Sequence, residues 1–166
     1  MYFMDKLKVI QNKIIHANDI EALLTYWNLK NQKVVFTNGC FDILHRGHVE
    51  YLAKSASQGD VLVIGLNTDQ SVKRIKGESR PVQDEYARAI LLASLSFVSA
   101  VIYFDEDTPY NLIKKVQPDV LVKGSDYKAE NIVGYDVVKA KGGKVVTIDF
   151  IDGYSTTSII EKLKKG

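Results

Sequence analysis

Short apolar runs alternate along the chain with segments of helical periodicity, and this alternation limits the fold more than any other feature. Five runs rich in β-branched residues lie at 33–38, 61–67, 100–104, 119–123 and 144–148. Each run is mostly apolar rather than alternating in polarity, which is typical of strands covered by helices on both faces. The order predicts a doubly wound α/β fold with a parallel sheet and right-handed crossovers.

Helical segments are predicted between the runs and before the first one. The segments HVEYLAKSA and EYARAILLASLSFV carry apolar residues at helical spacing. Thr108 is expected to cap a later helix, with Pro109 at its first helical position and its end before Gln117. Upstream, Asn18 and Asp19 precede IEALLTYWNL and predict a capped helix on the outside of the sheet.

The length of 166 residues accommodates one domain, and we expect residues 33–166 to form it, with residues 1–32 as a helical extension packed on it. A net charge of +2 gives no argument for a nucleic-acid partner. The early Asp5 and the lack of a long apolar stretch favour a cytoplasmic protein without signal peptide or membrane span. The single Cys40 excludes an internal disulfide.

The first strand runs directly into TNGCFDILHRGH, residues 37–48. In open parallel sheets, ligands bind where the strands end and the topology switches. Gly39 allows a phosphate or base to approach the backbone, and Gly47 begins a helix whose N-terminus favours anions. The imidazoles of His45 and His48 can donate hydrogen bonds to phosphate oxygens and, if protonated, neutralise charge that develops during phosphoryl transfer. The segment predicts a phosphate site.

Two other interpretations of this segment exist. Each histidine taken singly fits a helix cap or a surface position, but the pair beside a glycine-containing loop favours the phosphate site. Cys40, Asp42, His45 and His48 also form a candidate zinc-ligand set. We rank zinc lower, because a loop-to-helix transition is expected to splay the four side chains.

The segment SVKRIKGESRP after the second strand is basic and contains a glycine turn. It carries Lys73, Arg74, Lys76 and Arg80. Such a run is either a solvated loop or, at the same sheet edge as the histidines, a lid over phosphates.

Two further segments are candidates for nucleotide contacts. Lys123, Gly124 and Asp126 follow the fourth strand, and they form either a plain turn or contacts to phosphate and ribose. Three hydroxyl residues, 155–157, open the last helix. A helix cap needs one hydroxyl, whereas three offer additional donors to a triphosphate.

The segments GCFDILHRGH and YSTTS resemble the signatures of the HxGH nucleotidylyltransferase superfamily, in which GxFDxxHxGH follows a strand and an STT-type motif opens a late helix. Longer stretches, among them NTDQSVKRIKGESRPV, PDVLVKGSDY and GGKVVTIDFIDGYSTTSIIEKL, are similar in the same order to the family of bacterial adenylyltransferases that make ADP-heptose for lipopolysaccharide. This resemblance runs from about Lys33 to Leu163 and is more specific than the HxGH signature.

The resemblance implies a Rossmann-like sheet of five strands in the order 3-2-1-4-5, helices on both faces, and a homodimer. It implies transfer of AMP from ATP, with Mg²⁺, to the sugar 1-phosphate D-glycero-β-D-manno-heptose 1-phosphate, with release of pyrophosphate. Many members carry a fused sugar kinase, which this chain lacks. The sugar kinase and phosphatase steps are therefore expected from separate proteins, and no nucleic-acid or membrane partner is expected.

The family's catalytic roles fall on matching residues of this chain. His45 and His48 are assigned to the α- and β-phosphates, and Lys76 with Lys73 to charge on the sugar phosphate and pyrophosphate. An acceptor phosphate is already an anion near neutral pH, so the enzyme has to align and neutralise charge rather than supply a general base. Mg²⁺ is expected to bridge phosphate oxygens.

The remaining roles concern binding. Asp42 and Arg80 are assigned to the acceptor, with Asp42 also a candidate for a water-mediated metal contact. Asp126 is assigned to the ribose. The nucleotide-binding set is completed by Thr37, Asn38, Gly39, Cys40, Phe41, Lys123, Gly124, Tyr154, Ser155, Thr156 and Thr157.

At Phe150 the sequence differs from a neighbouring branch of the superfamily. The glycerol-3-phosphate cytidylyltransferases carry an arginine a few residues before their STT motif, where this chain has DFIDGYSTT. This difference disfavours CTP and leaves one phosphate contact without an obvious donor. A cytidylyltransferase and a non-catalytic nucleotide sensor remain the alternatives.

Overall fold

The computed structural model describes residues 5–125, 128–151 and 153–165. Within these residues the strands form one parallel sheet in the order β1-β4-β3-β2-β5-β6. The strands are Ile14–Ile15 (β1), Val34–Gly39 (β2), Val61–Asn67 (β3), Ala100–Phe104 (β4), Val120–Gly124 (β5) and Lys144–Ile148 (β6).

Helices cross over between the strands and cover both faces of the sheet. They are Lys6–Gln11 (α1), Ile20–Leu29 (α2), Arg46–Ala56 (α3), Asp69–Lys76 (α4), Glu85–Ser94 (α5), Tyr110–Val116 (α6), Tyr135–Ala140 (α7) and Thr156–Lys165 (α8), with a 3₁₀ turn at Ala129–Asn131. The predicted doubly wound α/β class is confirmed.

The five predicted strands are present, and their order, β4-β3-β2-β5-β6, is the expected 3-2-1-4-5. The strand number was wrong by one, because β1 adds a sixth strand at the edge, where Ile14 and Ile15 pair with Val101 and Ile102. A strand of two residues is too short to show any periodicity in a sequence.

Two predicted helix caps differ from the structure. Asp19 precedes α2 but its side chain accepts no capping hydrogen bond, since its backbone is already helical at φ −97° and ψ −6°; a capping side chain usually needs an extended backbone. Pro109 takes the N-cap position before Tyr110 rather than the first helical position, and Thr108 makes no capping bond. The predicted end of α6 is confirmed, since Gln117 closes it with a left-handed φ of 47°.

Each face of the sheet has its own apolar core. Phe36 packs on one face with Ile20 and Trp27 of α2, while Val35 packs on the opposite face with Leu52 of α3. Successive residues of a strand point to opposite faces, so the continuous apolar run of β2 serves both cores. The segment before residue 33 thus contributes an edge strand and a buried helix face, and a domain boundary at 32/33 stays a prediction.

Candidate active site

A cavity of about 450 Å³, here called the main cavity, opens at the carboxyl ends of β2 and β5, beside the N-terminal ends of α3 and α8. Parallel strands end at one edge of the sheet, so the residues that follow them converge there. The predicted residues that line it are Asn38, Gly39, Cys40, Phe41, Asp42, His48, Lys76, Arg80, Lys123, Gly124, Thr156 and Thr157.

Other predicted residues lie outside the cavity lining. Thr37 is buried, and its hydroxyl shares a hydrogen bond of 2.8 Å with the hydroxyl of Tyr51. Lys73 and Ser155 do not line the cavity, and neither do His45 and Tyr154, although His45 stacks on His48, which does. Asp126 lies outside the described residues. In contrast, Tyr51, Ile75 and Phe150 line it although they were not predicted as site residues. Phe150 is the position of the missing arginine, and its ring lies 5.3 Å from that of Tyr51.

His45 and His48 form one unit at the start of α3. Nδ1 of His45 accepts a hydrogen bond of 3.4 Å from the backbone amide of His48, so His45 is the N-cap of the helix. The two rings stack with centroids 3.8 Å apart and planes 19° from parallel. Because Nδ1 of His45 accepts, the neutral ring carries its proton on Nε2, which is then a donor. His45 therefore combines the capping role with a donor role.

The pKa values of both histidines are lowered. Burial, followed by the charge of His45, lowers the pKa of His48 to about 4, and the backbone of Ile43 partly opposes this effect. Burial also lowers the pKa of His45. Both rings are therefore neutral at neutral pH, and they act as hydrogen-bond donors rather than as cations. Nδ1 of His48 is buried without a hydrogen-bond partner among the described residues.

Gly47 makes this stacking sterically feasible. A Cβ atom at position 47 would lie 3.1 Å from ring atoms of His45 and 3.1 Å from Cβ of Tyr154. The ring of Tyr154 lies 6.5 Å from that of His45 and 5.5 Å from the guanidinium of Arg46. Tyr154 therefore lies beside His45, outside the lining of the main cavity.

Asp42 holds the loop that follows α4. It is buried, one carboxylate oxygen accepts from Nε of Arg80, and the other accepts from the backbone amides of Val82 at 2.7 Å and Gln83 at 3.1 Å. Both oxygens of Asp42 therefore have protein partners, and the carboxylate fixes the position of Arg80 at the cavity wall.

Arg88, which sequence analysis missed, is hydrogen-bonded to the loop that follows α4 and to the loop that follows β2. Its side chain is almost fully buried and donates to the carbonyl of Cys40 at 2.7 Å, to Oδ1 of Asp69 at 2.7 Å and to the carbonyl of Gln83 at 3.1 Å. The available signal was an arginine on the apolar face of α5, beside Ala89. A buried charge of this kind is retained when it is paired and fully hydrogen-bonded.

Cys40 is a small residue in the wall. Burial raises the pKa of its thiol, more than the positive charges of Lys76, Arg88 and Arg80 lower it. Its Sγ lies 3.9 Å from Oδ1 of Asn67. A thiol with a raised pKa is a poor nucleophile, since the thiolate is the reactive form.

At the start of α8, one hydroxyl residue caps the helix and the next two line the main cavity. Oγ of Ser155 accepts from the backbone amide of Ser158 at 3.0 Å and so caps the helix. Thr156 and Thr157 instead face the main cavity. The hydroxyl triplet thus serves both of the roles weighed from the sequence.

The candidate zinc ligands do not converge. In residues 5–125, 128–151 and 153–165, no group of three or more His, Cys, Asp or Glu side chains is arranged to hold a metal ion. Within the same part of the chain, no helix has the length and apolar character needed to cross a membrane.

The sequence is similar to known proteins. The sequence model of the cytidylyltransferase-like family matches residues 36–162. The chain is 54% identical over 154 residues to the bifunctional protein HldE of Campylobacter concisus (strain 13826), covering 93% of this chain and 31% of that protein. The chain therefore spans about a third of the length of this curated relative.

Two solved structures are also similar. The lipopolysaccharide core biosynthesis protein from Thermoplasma volcanium GSS1 is 33% identical with a TM-score of 0.61, over 73% of this chain and 99% of that one. Pantoate-beta-alanine ligase from Francisella tularensis matches at a TM-score of 0.55, over 91% of this chain and 77% of that one. At 19% identity it supports the fold alone.

Proposed function

This chain belongs to the cytidylyltransferase-like family of nucleotidyltransferases, and we propose that it transfers AMP from ATP to a sugar 1-phosphate. The products are a nucleoside diphosphate sugar and pyrophosphate. The acceptor that we propose is D-glycero-β-D-manno-heptose 1-phosphate, which gives ADP-heptose.

One observation carries the proposal of nucleotidyl transfer. The main cavity lies between two helix N-termini, one bearing the stacked histidines and the other bearing Thr156 and Thr157. Helix N-termini present backbone N–H groups and the positive end of the dipole, so the space between them suits a polyphosphate chain. The lysines and arginine of the wall, Lys76, Arg80 and Lys123, add positive charge on the same side.

The reaction follows from this distribution of donors. An oxygen of the acceptor phosphate forms a bond to the α-phosphorus of ATP, and the bond to the bridging oxygen of pyrophosphate breaks. The histidines donate to oxygens on which negative charge grows, and Lys76 with Thr156 and Thr157 stabilises the departing pyrophosphate. We retain Lys73 as a residue that reaches the phosphates when substrates bind. Neutral imidazoles perform this role without a proton transfer.

ATP enters as its magnesium complex in this proposal. Mg²⁺ prefers oxygen ligands and keeps several waters when phosphates supply part of its coordination. Asp42 is the acidic side chain on the described wall of the main cavity, and its oxygens are already hydrogen-bonded. The donor set thus fits a metal held by the nucleotide and water rather than by the protein.

The choice of acceptor is supported by sequence similarity. The motifs of this chain resemble those of adenylyltransferases that make ADP-heptose, and one similar solved structure is described as a lipopolysaccharide core biosynthesis protein. With this acceptor, we further propose a cytoplasmic homodimer that depends on a sugar kinase and a phosphatase for its substrate.

The test is a matrix of pyrophosphate release. ATP, CTP, GTP and UTP are each combined with heptose 1-phosphate, hexose 1-phosphates and glycerol 3-phosphate in the presence of Mg²⁺. We expect ATP with heptose 1-phosphate to give the highest kcat/KM, since missing hydroxyls leave site groups unpaired. A preference for CTP with glycerol 3-phosphate would assign the protein to the cytidylyltransferase branch. Tight ATP binding without release in any combination would identify a nucleotide sensor.

A further inference from the structure

A second cavity, here called the side cavity, adjoins the main cavity and has a volume of about 190 Å³. Asn38, Ile75 and Lys123 border both cavities. The outer walls of the side cavity come from the loop between β4 and α6, with Thr108, and from the residues around the end of the 3₁₀ turn, with Asn131. Most of this lining lies outside the residues assigned to any role above.

We propose that the side cavity binds the neutral, polyhydroxylated ring of the phosphorylated acceptor, while the acceptor's phosphate lies at the junction of the two cavities. This inference rests on the proposed function. It assigns Lys123 to the phosphate at the junction, and Asn38 with Thr108 and Asn131 to the hydroxyls of the sugar.

The polar groups of the side cavity suit hydroxyls better than charges. Amides and a hydroxyl, from Asn38, Thr108 and Asn131, line it. Oδ1 of Asn38 is buried and, within the described part of the chain, lacks a hydrogen-bond partner, so it is an acceptor prepared for a ligand donor. The side chains of Thr108 and Asn131 make no hydrogen bond to any described residue. Of the two charged residues in the lining, Asp107 is already paired with Arg74 at 3.1 Å, and Lys123 lies at the junction with the main cavity.

Positive charge is concentrated on the main cavity. Lys76 and Arg80 line the main cavity alone and Lys123 lies at the junction, whereas the buried Phe104, Pro109 and Ile132 give the side cavity an apolar floor. An apolar surface with a few placed polar groups is the usual composition of a site for an uncharged ligand. The phosphates therefore belong in the main cavity and the carbohydrate in the side cavity.

The size of the side cavity limits the ligand to about one ring. Pockets for drug-sized ligands start at about 300 Å³, which exceeds the 190 Å³ measured here. A nucleoside with its phosphates does not fit, but a single sugar ring continuous with a phosphate at the junction does.

The wall that carries Thr108 is fixed to α4. Arg74 of α4 donates to the carbonyl and carboxylate of Asp105 and to the carboxylate of Asp107. Oγ of Ser71 lies 3.4 Å from the carbonyl of Glu106. The same helix ends at Ile75 and Lys76, beside the main cavity, so one rigid element positions both walls.

The test uses Thr108→Val and Asn131→Ala, two changes outside the lining of the main cavity. Glu130→Gln, an exposed residue of the same 3₁₀ turn outside the cavity lining, is the matched control. Calorimetry measures the binding of heptose 1-phosphate to protein saturated with α,β-methylene-ATP, and separately the binding of that analogue. We expect each variant to bind heptose 1-phosphate about tenfold more weakly, the scale of one lost hydrogen bond, with unchanged affinity for the analogue. The control should match the wild type.

Unchanged acceptor affinity in correctly folded variants would overturn the assignment of the side cavity, and so would a loss of affinity for the nucleotide analogue instead. Failure of the proposed function would give different experimental results. Wild-type protein that binds heptose 1-phosphate through Thr108 and Asn131 but releases no pyrophosphate would retain the cavity assignment and refute adenylyl transfer. Wild-type protein that binds no sugar phosphate would refute both.

Discussion

The partial burial of His48 makes the stability of the protein depend on pH. The ordinary pKa of 6.5 falls to about 4 in the folded protein, so below 6.5 the unfolded chain takes up a proton that the folded chain does not. Stability is therefore fully present above pH 6.5 and is lost as the pH falls towards 4. At about 1.4 kcal/mol per unit of pKa difference, the loss is about 2 kcal/mol by pH 5 and about 3 kcal/mol by pH 4.

Urea unfolding at pH 7.5 and pH 5.0 measures this effect in the wild type, in His48→Gln and in His16→Gln. His16 is exposed and serves as the control histidine. Between the two pH values we expect the wild type and His16→Gln to lose about 2 kcal/mol more than His48→Gln. A bound ATP analogue should reduce the loss, because phosphate charge favours the protonated ring. If His48→Gln follows the same pH profile as the wild type, burial does not hold this imidazole neutral and the argument fails.

Three further predictions concern turnover. His45→Ala and His48→Ala should each lower kcat by about a hundredfold or more, the scale for one preorganised donor; a collapsed Tm with full activity in the remaining folded fraction would instead mark the pair as structural. Cys40→Ser should keep substantial turnover in the pyrophosphate assay, since the reaction needs no enzyme nucleophile, and complete inactivity of a folded, ATP-binding variant would refute this. Arg88→Lys should lower Tm, and it should lower kcat/KM for ATP about tenfold, because one ammonium group cannot bond to three acceptors. Wild-type kinetics in this variant would show that Arg88 does not position the Cys40 loop.

The fold was predictable because its strands are buried on both faces, which leaves continuous apolar runs such as β3 in the sequence. Helix ends were less predictable, since whether Asp19 caps α2 depends on its own backbone angles. The edge strand β1 could not be found, because its pairing with β4 is set by residues about 87 positions further along the chain.

The candidate site was predictable where motifs follow strand ends, as with His48 and Lys123, because parallel strands bring those positions together. The contacts that hold the loops of the site in place were not predictable. Asp42 pairs with Arg80 at a separation of 38 residues, and Arg88 reaches Cys40 across 48. Such pairings depend on how helices dock, and no local pattern records them. Membership of the motif also does not guarantee a place in the cavity lining. Thr37 lies within the motif, but its hydroxyl is hydrogen-bonded to Tyr51 in the interior.

The short edge strand also affects how the sheet meets other molecules. The backbone amide of Val101 donates to the carbonyl of Lys13 at 2.8 Å, and Ile14 and Ile15 cover the adjacent edge of β4. An uncovered apolar edge is a template for pairing between chains. A chain starting at residue 33 would expose this edge of AVIYF and also the core surface that Ile20 and Trp27 cover. Residues 14–27 thus cover an edge of the sheet and a core surface, and the covered edge offers no template for strand addition by another chain.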